Sequence, residues 1–300
     1  MLECPQLPLK PLHVSTGVNM LSIDVECWHQ IIYRNLTARS VQPMETCYHM
    51  TRSVLSLLKE ARTTATFFVL GTVAETFPDL VRQIDAEGHE VATHGYSHVP
   101  ITRLGPDDFR LDVSRSMDIL TGILGKPVIG FRAPEFSVLA HTTWALNILV
   151  QLGIRYDSSI FPFSGRRYGI RNFPAGATEV MCQHGSLIEI PPSTLRVSGR
   201  SLPVAGGGYF RILPLRWITR AISRVNREGR AFVLYVHPYE LWEHALLCEG
   251  LPKKLPRLAT LRTELRWNIR RSTIRTKLRK ILEEFRFAAI REVLADALNR

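Results

Sequence analysis

Short apolar runs and helical patterns alternate along this chain, and the alternation is the feature that most constrains its fold. The runs are rich in β-branched and aromatic residues, and the segments between them place apolar residues three or four positions apart. This order is typical of parallel strand–helix units, so we predict an α/β fold. The predicted strands are 18–25, 65–70, 89–93, 128–131, 187–190 and 231–236, and the predicted helices are 46–60, 78–87, 105–124, 142–152 and 214–228.

Composition narrows the class of protein. Three hundred residues, 45% of them hydrophobic, allow one large α/β domain or two small ones. No run of eighteen apolar residues predicts a membrane span, and residues 1–19 lack the charge and apolar pattern of a signal peptide. The five cysteines are scattered and include no C-x-x-C pair, so we expect reduced thiols in a cytoplasmic protein rather than a zinc knuckle or a redox pair.

Positive charge is concentrated at the C-terminus. Residues 251–300 contain 14 Lys or Arg against 5 Asp or Glu, which is +9 of the net +11. The charge is compatible with a solvated helix face, or with contact to nucleic acid, anionic lipid or an acidic glycan. Ile274, Leu278, Ile281, Leu282 and Phe285 share one helical face, which predicts a helix packed on the main domain.

Prolines and lysines in residues 251–256 indicate either a domain boundary or a linker to a docked tail. We divide the chain into an N-terminal extension (1–17), a main domain (18–250) and a basic helical C-terminal extension (251–300). Residues 163–185, rich in glycine and proline, are predicted to be a long irregular insertion.

Carboxylates and histidines follow the predicted strands. Asp24 and Glu26 lie two apart at one strand end, so both can face one site, although isolated carboxylates there are usually caps or surface charges. His94 and His98 follow another strand at a spacing that can present both rings to one metal ion. Two histidines and one carboxylate leave room for water and suit zinc or another divalent transition metal, and the other carboxylate is then free to act as a general base.

Three further features belong to the same pattern. His237 ends a strongly apolar strand and can act as a general acid, because its ordinary pKa is close to neutrality. Arg132, also at a strand end, can hold a carboxylate in a fixed orientation. Residues 206–208 are three glycines without the Lys-Ser/Thr of a nucleotide loop, so they indicate a tight turn or a close approach to a sugar.

The order of these motifs resembles that of the polysaccharide deacetylases with a NodB-homology domain, carbohydrate esterase family 4. The similarity covers about residues 18–240 and is greatest to the branch associated with exosortase and exopolysaccharide gene clusters. It is carried by Ser22-Ile-Asp-Val-Glu26, His94-Gly-Tyr-Ser-His98, Gly130-Phe-Arg-Ala-Pro134, Tyr156-Asp-Ser-Ser159 and Tyr235-Val-His-Pro-Tyr-Glu240. The resemblance implies a distorted (β/α) barrel of about seven strands with a C-terminal helical extension.

The resemblance also implies roles for single residues. Asp24 corresponds to the general base, Arg132 to the residue that orients the base, and His237 to the general acid with Asp157 as a carboxylate near it. Glu26, His94 and His98 correspond to the ligands of a divalent metal, which we expect to be zinc. Pro134, Gly207 and Tyr239 correspond to substrate contacts. Two positions depart from the branch's pattern: Cys27 replaces an aspartate, which would change the metal site if that aspartate were a ligand, and Tyr239 replaces a tryptophan, which would change a sugar-stacking wall.

We therefore expect a metal-dependent hydrolase that releases acetate from N-acetylated amino sugars of a glycan, such as an exopolysaccharide or a lipid-linked oligosaccharide. Two alternatives remain open: an amidohydrolase of the same fold acting on cyclic imides or ureides, and a binding protein with a decayed site and a basic tail. We expect a cytoplasmic protein whose tail contacts anionic lipid at the inner membrane face, and we do not expect a nucleic-acid partner.

Overall fold

Seven parallel strands form the centre of the protein. The computed structural model describes residues 8–14, 17–163, 165, 168–251 and 256–299. Its strands are β1 (Leu9–Pro11), β2 (Asn19–Val25), β3 (Thr66–Val69), β4 (Glu90–Thr93), β5 (Gly130–Phe131), β6 (Tyr156–Asp157), β7 (Thr178–Cys182), β8 (Gly185–Glu189), β9 (Thr194–Val197), β10 (Arg200–Pro203), β11 (Val233–Val236) and β12 (Phe287–Ala288).

The parallel strands follow the order β11-β2-β3-β4-β5-β6-β8. The N–H of Ser193, just after β8, donates to the carbonyl of Val233 in β11 at 3.2 Å, so the two end strands approach each other. The predicted α/β fold with about seven strands and a helical C-terminal part is confirmed. Because the strands are parallel, their carboxyl ends, and the side chains that follow them, meet at one end of the sheet.

Helices cover the sheet. They are α1 (Trp28–Thr37), α2 (Glu45–Glu60), α3 (Gly71–Thr76), α4 (Pro78–Ala86), α5 (Pro106–Leu124), α6 (Trp144–Gln151), α7 (Gly207–Ile212), α8 (Leu215–Arg227), α9 (Pro238–Leu241), α10 (Arg257–Asn268), α11 (Thr273–Glu284), α12 (Ile290–Val293) and α13 (Ala295–Leu298). The five predicted helices lie within two residues of α2, α4, α5, α6 and α8. In α5, for example, Pro106 begins the helix and Gly125, with φ +67°, ends it. No helix of the described residues has the length and apolar character needed to cross a bilayer.

The C-terminal segment is part of the main core. Ile274, Leu278 and Ile281 of α11 are fully buried and belong to the same hydrophobic cluster as the strand residues Leu21 and Phe67. β12 also pairs with β2. The prediction that this helix packs on the main domain is confirmed, whereas the domain division at residues 17 and 250 stays a prediction; residues 1–7, 15–16 and 252–255 lie outside the described part.

The prediction of an irregular insertion over 163–185 is wrong for its second half. β7 lies there and pairs antiparallel with β8 and with β1. Thr178 and Val180 are buried while Glu179 and Met181 are more exposed, a two-residue period that the sequence does contain. The glycines and prolines before β7 obscured that period. Residues 164, 166 and 167 lie outside the described part.

Candidate active site

A cavity of about 330 Å³ opens at the carboxyl ends of the central strands. Asp24 lies near the end of β2, Glu26 follows that strand, His94 follows β4 and His237 follows β11. All four side chains line the cavity. The two-residue spacing of the carboxylates places both on the same side of the strand, as predicted. Residues far apart in the sequence therefore converge on one volume.

Glu26, His94 and His98 form a buried group of metal-ligating type. One ligand atom from each lies within 4.8 Å of the others, and no second group of this kind occurs among the described residues. The Nε2 atom of His94 is 3.7 Å from Oε2 of Glu26, and Nε2 of His98 donates a hydrogen bond to the same oxygen. Burial raises the pKa of Glu26, but the neighbouring imidazoles outweigh burial and hold this pKa well below its usual range.

Each imidazole is oriented by a bond on its outer side. Nδ1 of His94 donates to the carbonyl of Arg132 at 2.8 Å, which leaves the Nε2 lone pair directed at the cavity. The guanidinium of Arg34 donates to Nδ1 of His98 at 2.6 Å. A metal ion at Nε2 of His98 would require the ring proton to move to Nδ1, and the contact from Arg34, which can only donate, would then have to open.

The loop that contains both histidines is fixed from α5. One carboxylate oxygen of Asp112 accepts the N–H of Tyr96 at 2.7 Å, and the other accepts the N–H of Ser97 at 3.0 Å. Gly95 has φ +75°, which favours glycine, and a Cβ built there would lie 2.8 Å from the Asp112 carboxylate that holds this loop. His98 itself has φ +56°, a conformation that costs about 1 kcal/mol or more and that the surrounding contacts must maintain.

Arg132 is fully buried and holds Asp24. Its Nη1 donates to Oδ1 of Asp24 at 2.7 Å and to the hydroxyl of Ser22 at 2.8 Å. Its other nitrogens donate to the carbonyl and the hydroxyl of Ser158. The guanidinium also lies over the ring of Phe68, 4.2 Å from its centroid. Arg132 thus holds the Asp24 carboxylate through Oδ1, and Oδ2 lies 3.9 Å from Nε2 of His237.

His237 faces both carboxylates. Its Nε2 is 3.4 Å from Oε1 of Glu26 and 3.9 Å from Oδ2 of Asp24, and its Nδ1 donates to Oε2 of Glu240 at 2.8 Å. Burial lowers the pKa of His237, but the charges of Glu240, Glu26 and Asp24 exceed that effect and raise it to about 9. The three carboxylates therefore favour the protonated form of the imidazole.

The described carboxylates in contact with His237 are Glu240, Glu26 and Asp24, so the predicted place of Asp157 near the acid histidine stays a prediction. Asp157 is fully buried opposite Glu189 on the adjacent strand, and it accepts a hydrogen bond from Ser159. Burial raises the pKa of Asp157 to about 6 and that of Glu189 well above its usual range. Glu240, three residues after His237, is the carboxylate that accepts the hydrogen bond from Nδ1 of the imidazole.

The three predicted substrate contacts, Pro134, Gly207 and Tyr239, lie at different places relative to the cavity. Gly207 lines the cavity, whereas Pro134 is buried and its neighbours Ala133, Glu135 and Phe136 line the cavity instead. Tyr239 lines the cavity, although only 2% of its surface is exposed. Its ring stacks on His237 with centroids 4.8 Å apart, and its hydroxyl donates to Oε1 of Glu26 at 3.0 Å. Tyr239 positions two site residues.

Cys27, at the position where the branch has an aspartate, is not part of the ligand group. Cys27 is 1% exposed, packs in the main core and accepts the N–H of Met44 at 3.4 Å. Within the described part of the chain, the ligand group contains Glu26 and the two histidines without it. The strand ends at Val25, and the chain turns into α1, which carries the Cys27 side chain away from the cavity.

Sequence reasoning missed the walls of the cavity. One wall is aromatic, with Phe136, Tyr168 and Tyr235, and the other carries Arg211 of α7 with Arg266 and Trp267 of α10. An arginine and a tryptophan beside each other in the basic tail are the signal that the sequence offers. Their distance of more than two hundred residues from Asp24 in the sequence concealed their place in the site.

Two family models match the chain from residue 44 onwards. Residues 44–156 match the model described as polysaccharide deacetylase, and residues 158–295 match a domain of unknown function, DUF3473. The first match contains His94, His98 and Arg132, and the second contains His237 and the C-terminal helices.

Two curated relatives are similar to parts of the chain. A peptidoglycan-N-acetylglucosamine deacetylase of Bacillus cereus is 34% identical over 96 residues, which are 32% of this chain and 35% of that protein. A chitooligosaccharide deacetylase of Azorhizobium caulinodans is 26% identical over 193 residues, which are 63% of this chain and 87% of that protein. The chain thus spans about a third of the length of the first relative.

A solved structure shares the fold over nearly its full length. It is from Mycobacterium smegmatis, is provisionally named a polysaccharide deacetylase, and superposes with a TM-score of 0.61 at 20% identity, covering 97% of this chain and 96% of the other. Fold, motif order and family model agree. The chain therefore contains a polysaccharide deacetylase domain of the NodB-homology type, carbohydrate esterase family 4.

Proposed function

We propose that this protein hydrolyses the N-acetyl group of amino sugars in a glycan and releases acetate. The observation that carries the proposal is the meeting of three groups of different chemistry in one cavity: the Glu26–His94–His98 group, the carboxylate of Asp24 and the imidazole of His237. An amide hydrolase needs a polarised carbonyl, a base for water and an acid for the leaving amine. The cavity provides a candidate for each.

The ligand group fits a divalent metal ion. Two imidazole nitrogens and one carboxylate oxygen are a donor set of transition-metal type, and all three side chains are buried and close enough to share one ion. Such an ion, when bound, would polarise the acetamide carbonyl and acidify a water molecule. Zinc is the metal we propose.

Asp24 is the proposed general base. Arg132 fixes one of its oxygens, and the other faces the cavity within 3.9 Å of His237. From that position the carboxylate takes a proton from the water whose oxygen adds to the acetamide carbon. The buried guanidinium keeps the base oriented during the transfer, because it donates to the carboxylate and to two serines at once.

His237 is the proposed general acid. Its bond to Glu240 fixes the ring and leaves the protonated Nε2 directed at the cavity. When the C–N bond breaks, this proton passes to the amine, so the products are acetate and the free amino sugar. Tyr239, stacked on the imidazole, limits its movement.

The relatives guide the choice of substrate. Those reported above are named for deacetylation of chitooligosaccharide and of peptidoglycan N-acetylglucosamine. We propose an N-acetylated glycan for this protein also, specifically an exopolysaccharide or a lipid-linked oligosaccharide. The aromatic wall of Phe136, Tyr168 and Tyr235 provides apolar ring surface against which a sugar can pack.

The test is acetate release by purified protein from chitooligosaccharides, N-acetylated exopolysaccharide fragments and small cyclic imides. We expect release from glycans, its loss by two or more orders of magnitude in Asp24→Asn, and normal release in Asp108→Asn, which alters an exposed carboxylate of α5. Hydrolysis of imides alone would contradict the glycan assignment. Full activity of Asp24→Asn would contradict the role of the base.

A further inference from the structure

Helix α10 presents an uncovered apolar stripe. Leu258, Leu261 and Leu265 are spaced three or four residues apart and share one face of α10, and Ile269 directly after the helix continues the row. They are 60%, 53%, 58% and 58% exposed, and none belongs to a hydrophobic cluster of the described residues. Single exposed leucines are common, but a contiguous row on one helix indicates a surface that another body covers.

The opposite face of α10 is the one that packs on the protein. Glu264 accepts the N–H of Cys248 at 2.7 Å, and the side chain of Asn268 exchanges hydrogen bonds with the backbone of Leu246. Trp267 packs edge-on against Tyr239 and, through its carbonyl, accepts a hydrogen bond from Arg211. The apolar stripe therefore points away from the protein.

Arginines border the stripe. Arg257, Arg262, Arg266 and Arg270 are all exposed, and none is paired with a carboxylate among the described residues. Glu264, the only acidic residue of the helix, is turned inward. The outward face thus combines leucines with unpaired guanidinium groups, which matches the apolar and anionic layers of a lipid surface. A second copy of this helix would bring like charges together.

We propose that α10 is a membrane-surface helix that seats this protein on an anionic lipid bilayer. The leucine stripe enters the boundary between headgroups and acyl chains, and the bordering arginines contact headgroup phosphates. Arg266 and Trp267 of the same helix line the catalytic cavity, so docking places the cavity mouth beside the lipid surface. Lipid binding is a property separate from the proposed hydrolysis, and it can be measured without any turnover.

The experiment is co-sedimentation of the full chain with vesicles of phosphatidylcholine alone or mixed with phosphatidylglycerol. We expect binding only to the anionic vesicles, weakened by salt. Leu261→Ser/Leu265→Ser should reduce the affinity about tenfold or more, because two apolar side chains no longer enter the bilayer. Leu111→Ser, which changes a 68% exposed leucine of α5, is the matched control and should bind normally.

A second pair of variants tests the charges. Arg262→Glu should weaken binding to anionic vesicles, and Arg227→Glu, at an exposed position of α8, should not. Circular dichroism and thermal unfolding establish that the variants fold. Failure of the wild-type chain to bind anionic vesicles would overturn the proposal, as would wild-type binding by the leucine variant. A wild-type dimer that becomes monomeric in the leucine variant would show that a second copy covers the stripe instead.

Discussion

The buried pair of Asp157 and Glu189 gives a prediction that separates a structural carboxylate from a catalytic one. In the folded protein, burial raises the pKa of Asp157 from 3.8 to about 6, so the folded state retains a proton that the unfolded chain releases. Stability therefore falls as the pH rises from about 4 to about 6, and the loss persists above that range. A pKa change of this size corresponds to about 3 kcal/mol at neutral pH.

Asp157→Asn should remove most of this cost. We expect the variant to be about 1–3 kcal/mol more stable than the wild type at pH 7, with the difference disappearing below about pH 4, where both forms are uncharged. Relief of the charge beside Glu189 acts in the same direction, because Asp157 raises the pKa of that carboxyl too. The measurement is urea-induced unfolding at a series of pH values, with Asp108→Asn as an exposed control.

Turnover of the same variant is the second measurement. Since Asp157 does not contact His237, acetate release should stay within a few-fold of the wild-type rate. A loss of a hundredfold or more in a folded Asp157→Asn protein would refute the structural role and support the role predicted from the sequence. Equal destabilisation at every pH would refute the argument from the raised pKa.

Two other substitutions test the residues that position the site. Glu240→Gln should lower turnover about tenfold to a hundredfold. It should also move the alkaline limb of the pH–rate profile to lower pH, because the Glu240 charge raises the pKa of His237. A limb that stays in place would contradict this prediction. Tyr239→Phe removes the hydroxyl that donates to Glu26. It should weaken metal affinity about tenfold in a chelator titration and leave KM for the glycan unchanged. A raised KM with normal metal affinity would indicate that Tyr239 contacts the sugar instead.

The sequence was sufficient for the strands that carry the site. Buried parallel strands appear as short apolar runs, and a side chain just after such a run lies at the end of the sheet where the others gather. This rule, together with the motif order, predicts that four side chains converge: Asp24, Glu26, His94 and His237. All four line one cavity. Local pattern and fold topology agree at these positions, so no tertiary detail was needed to bring them together.

What the sequence could not supply depends on register and on side-chain direction. Asp157 faces Glu189 because β6 and β8 pair at that residue, and neither strand's pattern specifies the pairing. Tyr239 turns its ring against His237, and a motif comparison does not show ring orientation. The contact of Glu240 with His237 could have been predicted from the sequence. A proline begins the helix after His237, and a carboxylate three residues after a histidine can then bond back to the imidazole.

The metal content of two purified variants, measured beside acetate release, tests the central claim most directly. His94→Ala should lose both the bound divalent ion and the activity, because it removes one of three ligands. His237→Asn should keep the ion at the wild-type stoichiometry and lose acetate release by two or more orders of magnitude. An active His94→Ala protein free of metal would contradict the account, as would a His237→Asn protein that releases acetate at the wild-type rate.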